Sequence, residues 1–237
     1  MPALEITTKI GCKNLCDYCP QDKIVKAYSG KRLMSFEDFV AIMKNVPKNV
    51  RIDFSGFSEA FLNSESSRMM RHAIEEGYRV NLYTTFVGFN ENDIKALNGL
   101  KFSEVVSHKF DSKNFNQEEF DKQTKLFEDN IQKVDRTAIV DGDGVNTMKV
   151  SRGGSVFFVH RKIGAFHCYL CGKEFHNNVV LPNGDAYICC MDYGLEHKIG
   201  NLFETNFNEL NRQSLVDLSN QENSDIVCRK CEWFVND

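Results

Sequence analysis

Several features are missing from the 237-residue sequence, and each absence excludes a class of protein. No apolar run approaches the ~20 residues of a membrane-spanning helix, and no secretory signal peptide is recognisable, so we expect neither a membrane protein nor a secreted one. No run of basic residues is present to provide a footprint for nucleic acid or an anionic lipid surface. The six histidines show no spacing typical of paired metal ligands, so no metal site is assigned to them.

What is present is a mildly acidic chain with many cysteines. The net charge is −4 with a pI near 5.9, and the acids and bases are interspersed, which favours a small or peptidic partner. The nine cysteines, an odd number that includes C-x-x-C pairs, favour reduced, metal-bound thiols in a cytoplasm over disulfides. The length allows one enlarged domain, or one domain with a small appendage.

Three of the cysteines lie in one short loop directly after a strand-like run over 4–10. Cys12, Cys16 and Cys19 follow C-x3-C-x2-C spacing, with Tyr18 just before the last of them. Three thiolates bind a [4Fe–4S] cluster through three irons and leave the fourth iron open, whereas an electron carrier normally supplies a fourth cysteine. The spacing therefore indicates chemistry at an open iron. The alternative is half of a zinc site, although structural zinc needs four ligands, usually from two such pairs.

Helix and strand signals alternate over the first part of the chain. Ser35, Asn90 and Asn116 each precede a predicted helix with a cap-and-staple arrangement, and another predicted helix over 65–76 ends at Gly77. The polar stretch 21–32 is interpreted as a surface loop. Predicted strands lie between the helices, at 50–55, 79–85, 104–108 and 137–140.

This alternation predicts an α/β fold with parallel strands joined by right-handed crossovers. The connection over 134–151 contains Gly142 and Gly144 and is too short for another full helix, so we expect the last strands to be hairpin-like. The sequence therefore predicts a partial (β/α)5–6 TIM-like barrel of five or six strands. Its chemistry should lie at the carboxyl ends of those strands.

The helical rhythm stops near residue 155, which predicts a barrel domain over 1–155 and a small C-terminal cysteine-rich domain over 156–237. In the second domain, 178–181 and 186–189 are predicted to form a hairpin, and 206–218 an amphipathic helix. The remaining cysteines lie here in three pairs, namely Cys168/Cys171, Cys189/Cys190 and Cys228/Cys231.

The cysteine loop resembles the signature of the radical S-adenosylmethionine (SAM) enzymes. The family's Gly-Gly-Glu-Pro segment, which follows the second strand and contacts the methionyl amino group of SAM, has a partial counterpart in Phe57-Ser58-Glu59-Ala60. Phe57 and Ala60 depart from that motif. The resemblance implies that Ser58 and Glu59 contact SAM, with Tyr18 beside the adenine.

Further candidates for the SAM site follow the predicted strands. In Ser151-Arg152-Gly153-Gly154, the Arg152 fork suits the SAM carboxylate, and relatives carry similar Ser and Arg positions; a solvated arginine or a structural ion pair is the alternative. Four polar residues also end strands, and capping or strand packing would explain each equally well: Thr84, Thr85, Ser107 and His108. Thr84 and Ser107 are retained as cofactor-binding candidates.

The second set of cysteines resembles the auxiliary-cluster domain of the same family, called SPASM or, in its shortened form, twitch. Cys171, Gly184 and Cys189 reproduce a Cys…Gly-x4-Cys core, and Cys228 with Cys231 would supply the remaining ligands of a second [4Fe–4S] cluster. Cys168 and Cys190 remain alternates or free thiols. A zinc ribbon with four cysteine ligands is the alternative.

The resemblance implies a cytoplasmic enzyme that cleaves SAM to a 5′-deoxyadenosyl radical, using an external one-electron reductant such as flavodoxin or ferredoxin. The first hypothesis is a dehydrogenase that oxidises a sugar- or cyclitol-type alcohol, with the auxiliary cluster as electron acceptor. Arg152 and Asp192 are its catalytic candidates. Asp192 is proposed as a general base, although a turn-forming role beside Tyr193-Gly194 explains it as well.

Two other functions stay open. One is epimerisation or cross-linking of a peptide, with Cys168 or Cys190 as a hydrogen donor; we expect no long leader-binding domain at the N-terminus, which disfavours it. The other is a non-enzymatic, zinc-stapled binding module, which would be colourless.

Overall fold

A sheet of mostly parallel strands forms the centre of the fold in the computed structural model, which describes residues 1–14, 16, 18–109, 115–131, 137–140 (backbone only), 151–156 and 158–236. Its strands are β1 (Ala3–Ile6), β2 (Arg51–Phe54), β3 (Val80–Thr84), β4 (Glu104–His108), β5 (Thr137–Val140), β7 (Asn177–Val180), β8 (Asp185–Tyr187) and β9 (Lys198–Asn201). In this part of the chain they pair in the order β5-β4-β3-β2-β1-β7-β8-β9. All pairs from β5 to β7 are parallel, which confirms the predicted α/β fold with its partial barrel. The predicted connection over 134–151 lies mostly outside the described residues.

Three of the helices begin at the residues that the sequence predicted. The helices are α1 (Gln21–Ala27), α2 (Phe36–Met43), α3 (Ser66–Glu75), α4 (Glu91–Leu97), α5 (Gln117–Asn130) and, near the C-terminus, α6 (Gln213–Asn220). Ser35 and Asn90 both form complete capping boxes, and the Asn116 side chain accepts the backbone N–H of Glu119. These caps confirm the predicted starts of α2, α4 and α5.

The prediction of a surface loop over 21–32 was wrong for its first part, because residues 21–27 form the helix α1, whereas 28–32 lie outside any helix or strand. Its composition is polar, yet Ile24 and Tyr28, one turn apart, are buried in an apolar cluster with Ile10 and Phe57. A short helix with one narrow apolar stripe has too little hydrophobic periodicity to be distinguished from a polar loop.

The two faces of the barrel strands differ in chemistry. Alternate residues such as Leu4, Ile52 and Leu82 are buried in the main hydrophobic core with residues of the surrounding helices. The other face carries polar side chains that bond across the strands. Arg51 holds Asp53 through two hydrogen bonds of 2.7 and 2.6 Å. The Ser55 hydroxyl, just past β2, donates to Glu5 at 2.8 Å. The barrel interior is therefore polar on the side that faces the carboxyl ends of the strands.

The cysteine-rich segment joins this sheet rather than lying apart from it. β7 pairs with β1, and the antiparallel β7–β8 pair confirms the predicted hairpin. The helix predicted over 206–218 was wrong in its first half, which is a 3-10 turn at Phe207–Glu209. There the Asn211 N–H donates to the Ile199 carbonyl, and the Arg212 guanidinium donates to the Phe207 carbonyl. These bonds take the place of helical hydrogen bonds.

Two further strands, β6 (Phe166–Cys168) and β10 (Phe234–Asn236), form a separate antiparallel pair. The domain boundary at 155/156 stays a prediction. No helix in the described ranges is long and apolar enough to cross a membrane.

Candidate functional site

A cleft lies at the carboxyl ends of the first four strands and contains about 650 Å³ of empty space, including its opening to solvent. It is lined by all three cysteines of the first loop, Cys12, Cys16 and Cys19. Five of the other predicted residues also line it, namely Tyr18, Ser58, Glu59, Thr84 and Arg152. Thr85 and His108, two of the four strand-end residues named from the sequence but not retained as candidates, also line it. The remaining lining residues were not assigned to the site from the sequence: Asn14, Gln21, Ser55, Gly56, Phe57, Tyr83 and Tyr193.

Gln21, the first residue of α1, fixes the cysteine loop. Its Oε1 accepts the N–H of Cys12 at 3.1 Å, and its Nε2 donates both to the Phe57 carbonyl and to Sγ of Cys19, the latter at 3.3 Å. One side chain therefore joins both ends of the cysteine loop to the loop after β2. The sequence offered no signal for this role because Gln21 was taken as part of a polar surface loop.

The three thiols lie within electrostatic reach of one another. Burial, together with the charges of Cys19 and Cys12, raises the pKa of the Cys16 thiol to about 12. Burial also raises the pKa of Cys12. No three His, Cys, Asp or Glu side chains in the described residues converge on a site for one metal ion. A [4Fe–4S] cluster instead takes each thiolate on a different iron, and the three neighbouring cysteines fit that group.

Glu59 joins the loop after β2 to the end of β3. Its Oε1 accepts the Thr84 hydroxyl at 2.8 Å and the N–H of Phe61 at 3.2 Å. Its Oε2 accepts the N–H and the hydroxyl of Thr85 at 2.6 and 2.7 Å. A carboxylate offers about four lone-pair sites, so all are occupied here. The Thr85 hydroxyl also accepts a bond from Asn14, which extends the network to the cysteine loop.

Arg152 presents its guanidinium to the cleft, and no described residue forms a salt bridge with it. Its Cζ lies 5.8 Å from the Tyr18 ring centroid, and its Nη1 lies 3.9 Å from Sδ of Met191. Its Nε is buried without a hydrogen-bond partner among the described residues. The backbone at Arg152 has φ 51°, a conformation that side chains other than glycine rarely adopt. This arrangement leaves a cation available for an anionic or strongly polar ligand.

Ser107 and His108 are successive residues at the end of β4, so their side chains lie on opposite faces of the sheet. Ser107 is paired with Thr84 in the sheet register, is buried, and does not line the cleft. His108, on the opposite face, does line it, beside Tyr83 at 6.4 Å between ring centroids. Its Nε2 is buried without a hydrogen-bond partner in the described part of the chain. The sequence located the strand end but did not decide which neighbour faces inward.

Ser151 and Asp192 lie outside the cleft and bond to backbone. The Ser151 hydroxyl donates to the Lys230 carbonyl at 3.1 Å, and its N–H donates to the Glu232 carboxylate. Asp192 is buried, and its two oxygens accept the N–H groups of Glu196 and His197 at 3.1 and 2.8 Å. These bonds hold neighbouring segments of the chain together, which is a structural role. The cofactor-binding and general-base roles assigned to the two residues stay predictions.

A second pocket, of about 490 Å³, adjoins the cleft and is lined by all six remaining cysteines: Cys168, Cys171, Cys189, Cys190, Cys228 and Cys231. Two sulfurs already accept backbone N–H groups, Cys168 from Cys171 at 3.2 Å and Cys189 from Met191 at 3.4 Å. Such bonds stabilise a thiolate sulfur. The structure therefore brings together the cysteines predicted to hold an auxiliary cluster, along with both alternates.

Cys190 lies beside the barrel strand β1, because it lines the second pocket together with Glu5, whose charge adds to burial in raising the pKa of the Cys190 thiol. The Glu5 carboxylate also accepts the Ser55 hydroxyl from the cleft. Burial, and then the charge of Asp53, raise the pKa of Glu5. Glu5 therefore lies at the junction of the two pockets, in contact with residues of both. A single glutamate within a predicted strand carries no sequence signal that would predict this position.

We predict that His108 titrates far below an ordinary histidine in the cluster-free protein. Burial, and then the charge of Arg152, lower its pKa from 6.5 to about 4. The unfolded chain binds the proton more readily, so stability should be lost as the pH falls from 6.5 towards 4. NMR titration of the imidazole protons measures this, with His108→Gln identifying the signal. A midpoint at the ordinary histidine value would contradict the described burial.

Comparison with known proteins supports the separation into two cysteine sites. Residues 171–232 match the model of the SPASM family, described as an iron–sulfur cluster-binding domain. Comparison with curated protein sequences gives no match. The chain is similar to the solved structure of BtrN in complex with AdoMet (SAM) and 2-DOIA, with 15% identity and a TM-score of 0.70, over 94% of this chain and 88% of that one.

Two other solved structures share the fold. Histidine-tagged anSMEcpe with bound AdoMet is 14% identical, with a TM-score of 0.59, over 98% of this chain and 83% of that one. Streptococcus suis SuiB bound to the precursor peptide SuiA is 12% identical, with a TM-score of 0.55, over 97% of this chain and 69% of that one. At these identities, the likeness establishes a common architecture over nearly the whole chain.

Proposed function

We propose that this chain is a radical SAM enzyme with a C-terminal SPASM domain, and that it oxidises an alcohol carbon of a sugar- or cyclitol-type substrate to a ketone. The observation that carries the proposal is the pair of adjoining cysteine-lined pockets, with three cysteines in one and six in the other. Two adjoining cofactors suit an oxidation in which one site initiates hydrogen removal and the other takes up an electron.

The cysteines are proposed to hold two [4Fe–4S] clusters. The first takes Cys12, Cys16 and Cys19, and the second takes Cys171, Cys189, Cys228 and Cys231. When bound, the first supplies the electron that cleaves SAM to methionine and a 5′-deoxyadenosyl radical, and the second accepts the electron that substrate oxidation releases. The placement of Cys190 beside Glu5 of β1 supports leaving Cys190 out of the second set.

SAM is proposed to bind in the cleft against the residues that the resemblance assigns to it. Glu59 would accept the methionyl ammonium in exchange for one of its present donors, with Ser58 and Thr84 beside it. Arg152 would pair with the SAM carboxylate or with the substrate oxygen, because its Nε lacks a partner among the described residues. Tyr18 would contact the adenine with its ring.

The oxidation balances as the loss of a hydrogen atom, a proton and an electron. The C–H hydrogen would go to the 5′-deoxyadenosyl radical, the hydroxyl proton to a base, and the electron to the auxiliary cluster. His108 is placed for the second task because it lines the cleft and its Nε2 is unpaired among the described residues. Asp192 was the base predicted from the sequence, but both of its oxygens bond backbone N–H groups.

The polar barrel interior supports a hydroxylated substrate. Glu5, Ser55 and Tyr83 lie there with Arg152 and His108, and each carries a donor or acceptor suited to a hydroxyl group. A barrel that binds an apolar substrate would bury such groups at a cost unless they paired with each other. BtrN, which shares this fold, was solved with 2-DOIA as well as AdoMet.

A second candidate function is epimerisation, favoured by the position of Cys190. Its thiol lies beside Glu5 at the junction of the two pockets, where it would return a hydrogen atom to a substrate carbon. The substrate would then be a peptide or a sugar. SuiB, another structure with this fold, was solved with a precursor peptide.

One experiment tests the proposal and separates the two functions. Protein purified and reconstituted anaerobically is first analysed for iron and sulfide, and then incubated with SAM and dithionite in deuterated water, with 2-DOIA and myo-inositol as probes. Two clusters per chain, 5′-deoxyadenosine, and an unlabelled ketone formed one-to-one with it are expected. A colourless protein with bound zinc would overturn the proposal.

The isotope pattern decides between oxidation and epimerisation. A thiol exchanges its proton with solvent, so epimerisation would place one deuterium on the substrate carbon. In that case Cys190→Ala would stop turnover, whereas a dehydrogenase would tolerate the substitution. Cys168→Ala is the matched control, since Cys168 lines the same pocket and its hydrogen bond is to the backbone of Cys171.

We predict that Glu59→Gln and Arg152→Ala each weaken SAM binding about ten- to a hundredfold without removing a cluster. Loss of a charge-assisted contact typically costs ~1.5–3 kcal/mol. Equilibrium dialysis with labelled SAM measures the affinity, and Ser107→Ala, which lies off the cleft, should leave it unchanged. Wild-type affinity in both variants would remove these residues from the SAM site.

The proposed environment follows from the same chemistry. Exposed clusters and free thiols require a reducing compartment, so we propose a cytoplasmic location. The electron for the first cluster would come from a one-electron carrier of the flavodoxin or ferredoxin class.

A further inference from the structure

The hydroxyl of Tyr193 lies 3.6 Å from Sγ of Cys19. Tyr193 is only 3% exposed, and its ring packs edge-on against Phe57 with 4.9 Å between centroids, which fixes the direction of the hydroxyl. Tyr193 belongs to the segment that matches the SPASM family, whereas Cys19 belongs to the first cysteine loop. A residue of the C-terminal segment therefore touches the predicted ligand of the other site.

The chemistry of the two groups fixes the direction of this hydrogen bond once iron is bound. A thiolate sulfur on iron has no proton, so the tyrosine hydroxyl must be the donor. Sγ of Cys19 also lies 3.3 Å from the Gln21 Nε2 donor, so two side chains converge on one sulfur. Donors at cluster sulfurs stabilise the additional negative charge of the reduced cluster and thereby raise its reduction potential.

We propose that Tyr193 tunes the cluster held by Cys12, Cys16 and Cys19 by donating a hydrogen bond to the Cys19 thiolate. It acts through that ligand, so it is a positioning residue and not a catalytic one. Through it, the C-terminal segment sets how readily the SAM-cleaving site is reduced. The proposal rests on the proposed function in requiring a cluster at these cysteines.

The test is a redox titration of the reconstituted protein followed by EPR, comparing wild type with Tyr193→Phe. The signal that changes on addition of SAM identifies the first cluster. In the variant, the reduction equilibrium should shift about tenfold towards the oxidised form, which for one electron is about 59 mV lower. Tyr187→Phe is the matched control, because Tyr187 lies in the same buried cluster and has no hydrogen bond to a cysteine among the described residues.

A second substitution guards against simple loss of packing. 3-Fluorotyrosine placed at position 193 keeps the ring shape and makes the hydroxyl a stronger donor, so the potential should rise instead of falling. Equal potentials in wild type and both substituted proteins would overturn the proposal. If wild type binds no SAM-sensitive cluster, the iron analysis will show that the proposed function has failed, and this inference with it.

Discussion

Replacing Cys12, Cys16 and Cys19 together by alanine should leave one cluster per chain and abolish reductive cleavage of SAM. The three thiols are the neighbouring soft ligands that line the cleft, and the other six cysteines line the adjoining pocket. Iron and sulfide analysis with quantification of 5′-deoxyadenosine measures both effects. Their size should be close to all-or-none, because the triple variant keeps no thiolate in the cleft to hold a cluster.

Cys190→Ala is the appropriate control for this triple substitution. It also removes a partly buried thiol, but one that lies beside Glu5 and is not proposed as a ligand. It should retain two clusters and full cleavage of SAM in the absence of substrate. Formation of 5′-deoxyadenosine by the triple variant at the wild-type rate would refute the assignment of the first site.

Arg229→Lys should lower the stability of the protein by about 3 kcal/mol, a substantial fraction of a typical domain stability. Arg229 is 1% exposed and donates all five N–H groups of its guanidinium. It bonds the carbonyls of four residues and one hydroxyl, which belong to Lys162, Gly164, Ser219, Gln221 and Ser224. A lysine has three donors in a different geometry, so buried carbonyls would lose their partners.

Thermal unfolding checks this prediction, with an expected fall in Tm of about 10 °C at roughly 2–4 °C per kcal/mol. Because Arg229 lies between Cys228 and Cys231, the variant should also bind less iron at the auxiliary site. Arg161→Lys is the matched control: Arg161 has one backbone bond and a long ion pair to an exposed aspartate, and its loss should cost little. Equal Tm values for the two variants would contradict the role of Arg229.

Local signals in the sequence predicted the features that depend on neighbouring residues. The Ser35 and Asn90 caps are complete within four residues, and the hairpin around Gly184 depends on its own turn. The cysteine loop was recognisable for the same reason, because its spacing is a property of one short segment. Such features depend little on the rest of the fold.

Features that depend on distant segments were not predictable in the same way. Gln21, Tyr193 and Glu5 acquire their roles from partners far away in sequence, and each is an ordinary residue where it stands. Ser107 was chosen over His108 as a cofactor-binding candidate, but His108 is the residue that lines the cleft. The sequence locates the end of a strand, whereas which of two successive side chains faces the cleft depends on the register of the sheet. The capping role of Asp192 depends on a turn that the sequence indicated only weakly.

The position of β1 between β2 and β7 has a consequence for how the chain is made. Ala3 pairs with Arg51 on one side and with Asn177 on the other, so β1 leaves the ribosome long before its second partner does. Until then, one edge of an apolar strand offers unpaired backbone groups to any other nascent chain. Closing so long a connection also slows folding. Synthesis of this protein should therefore depend on chaperones that shield β1, and a chain truncated after residue 155 would keep that edge exposed permanently.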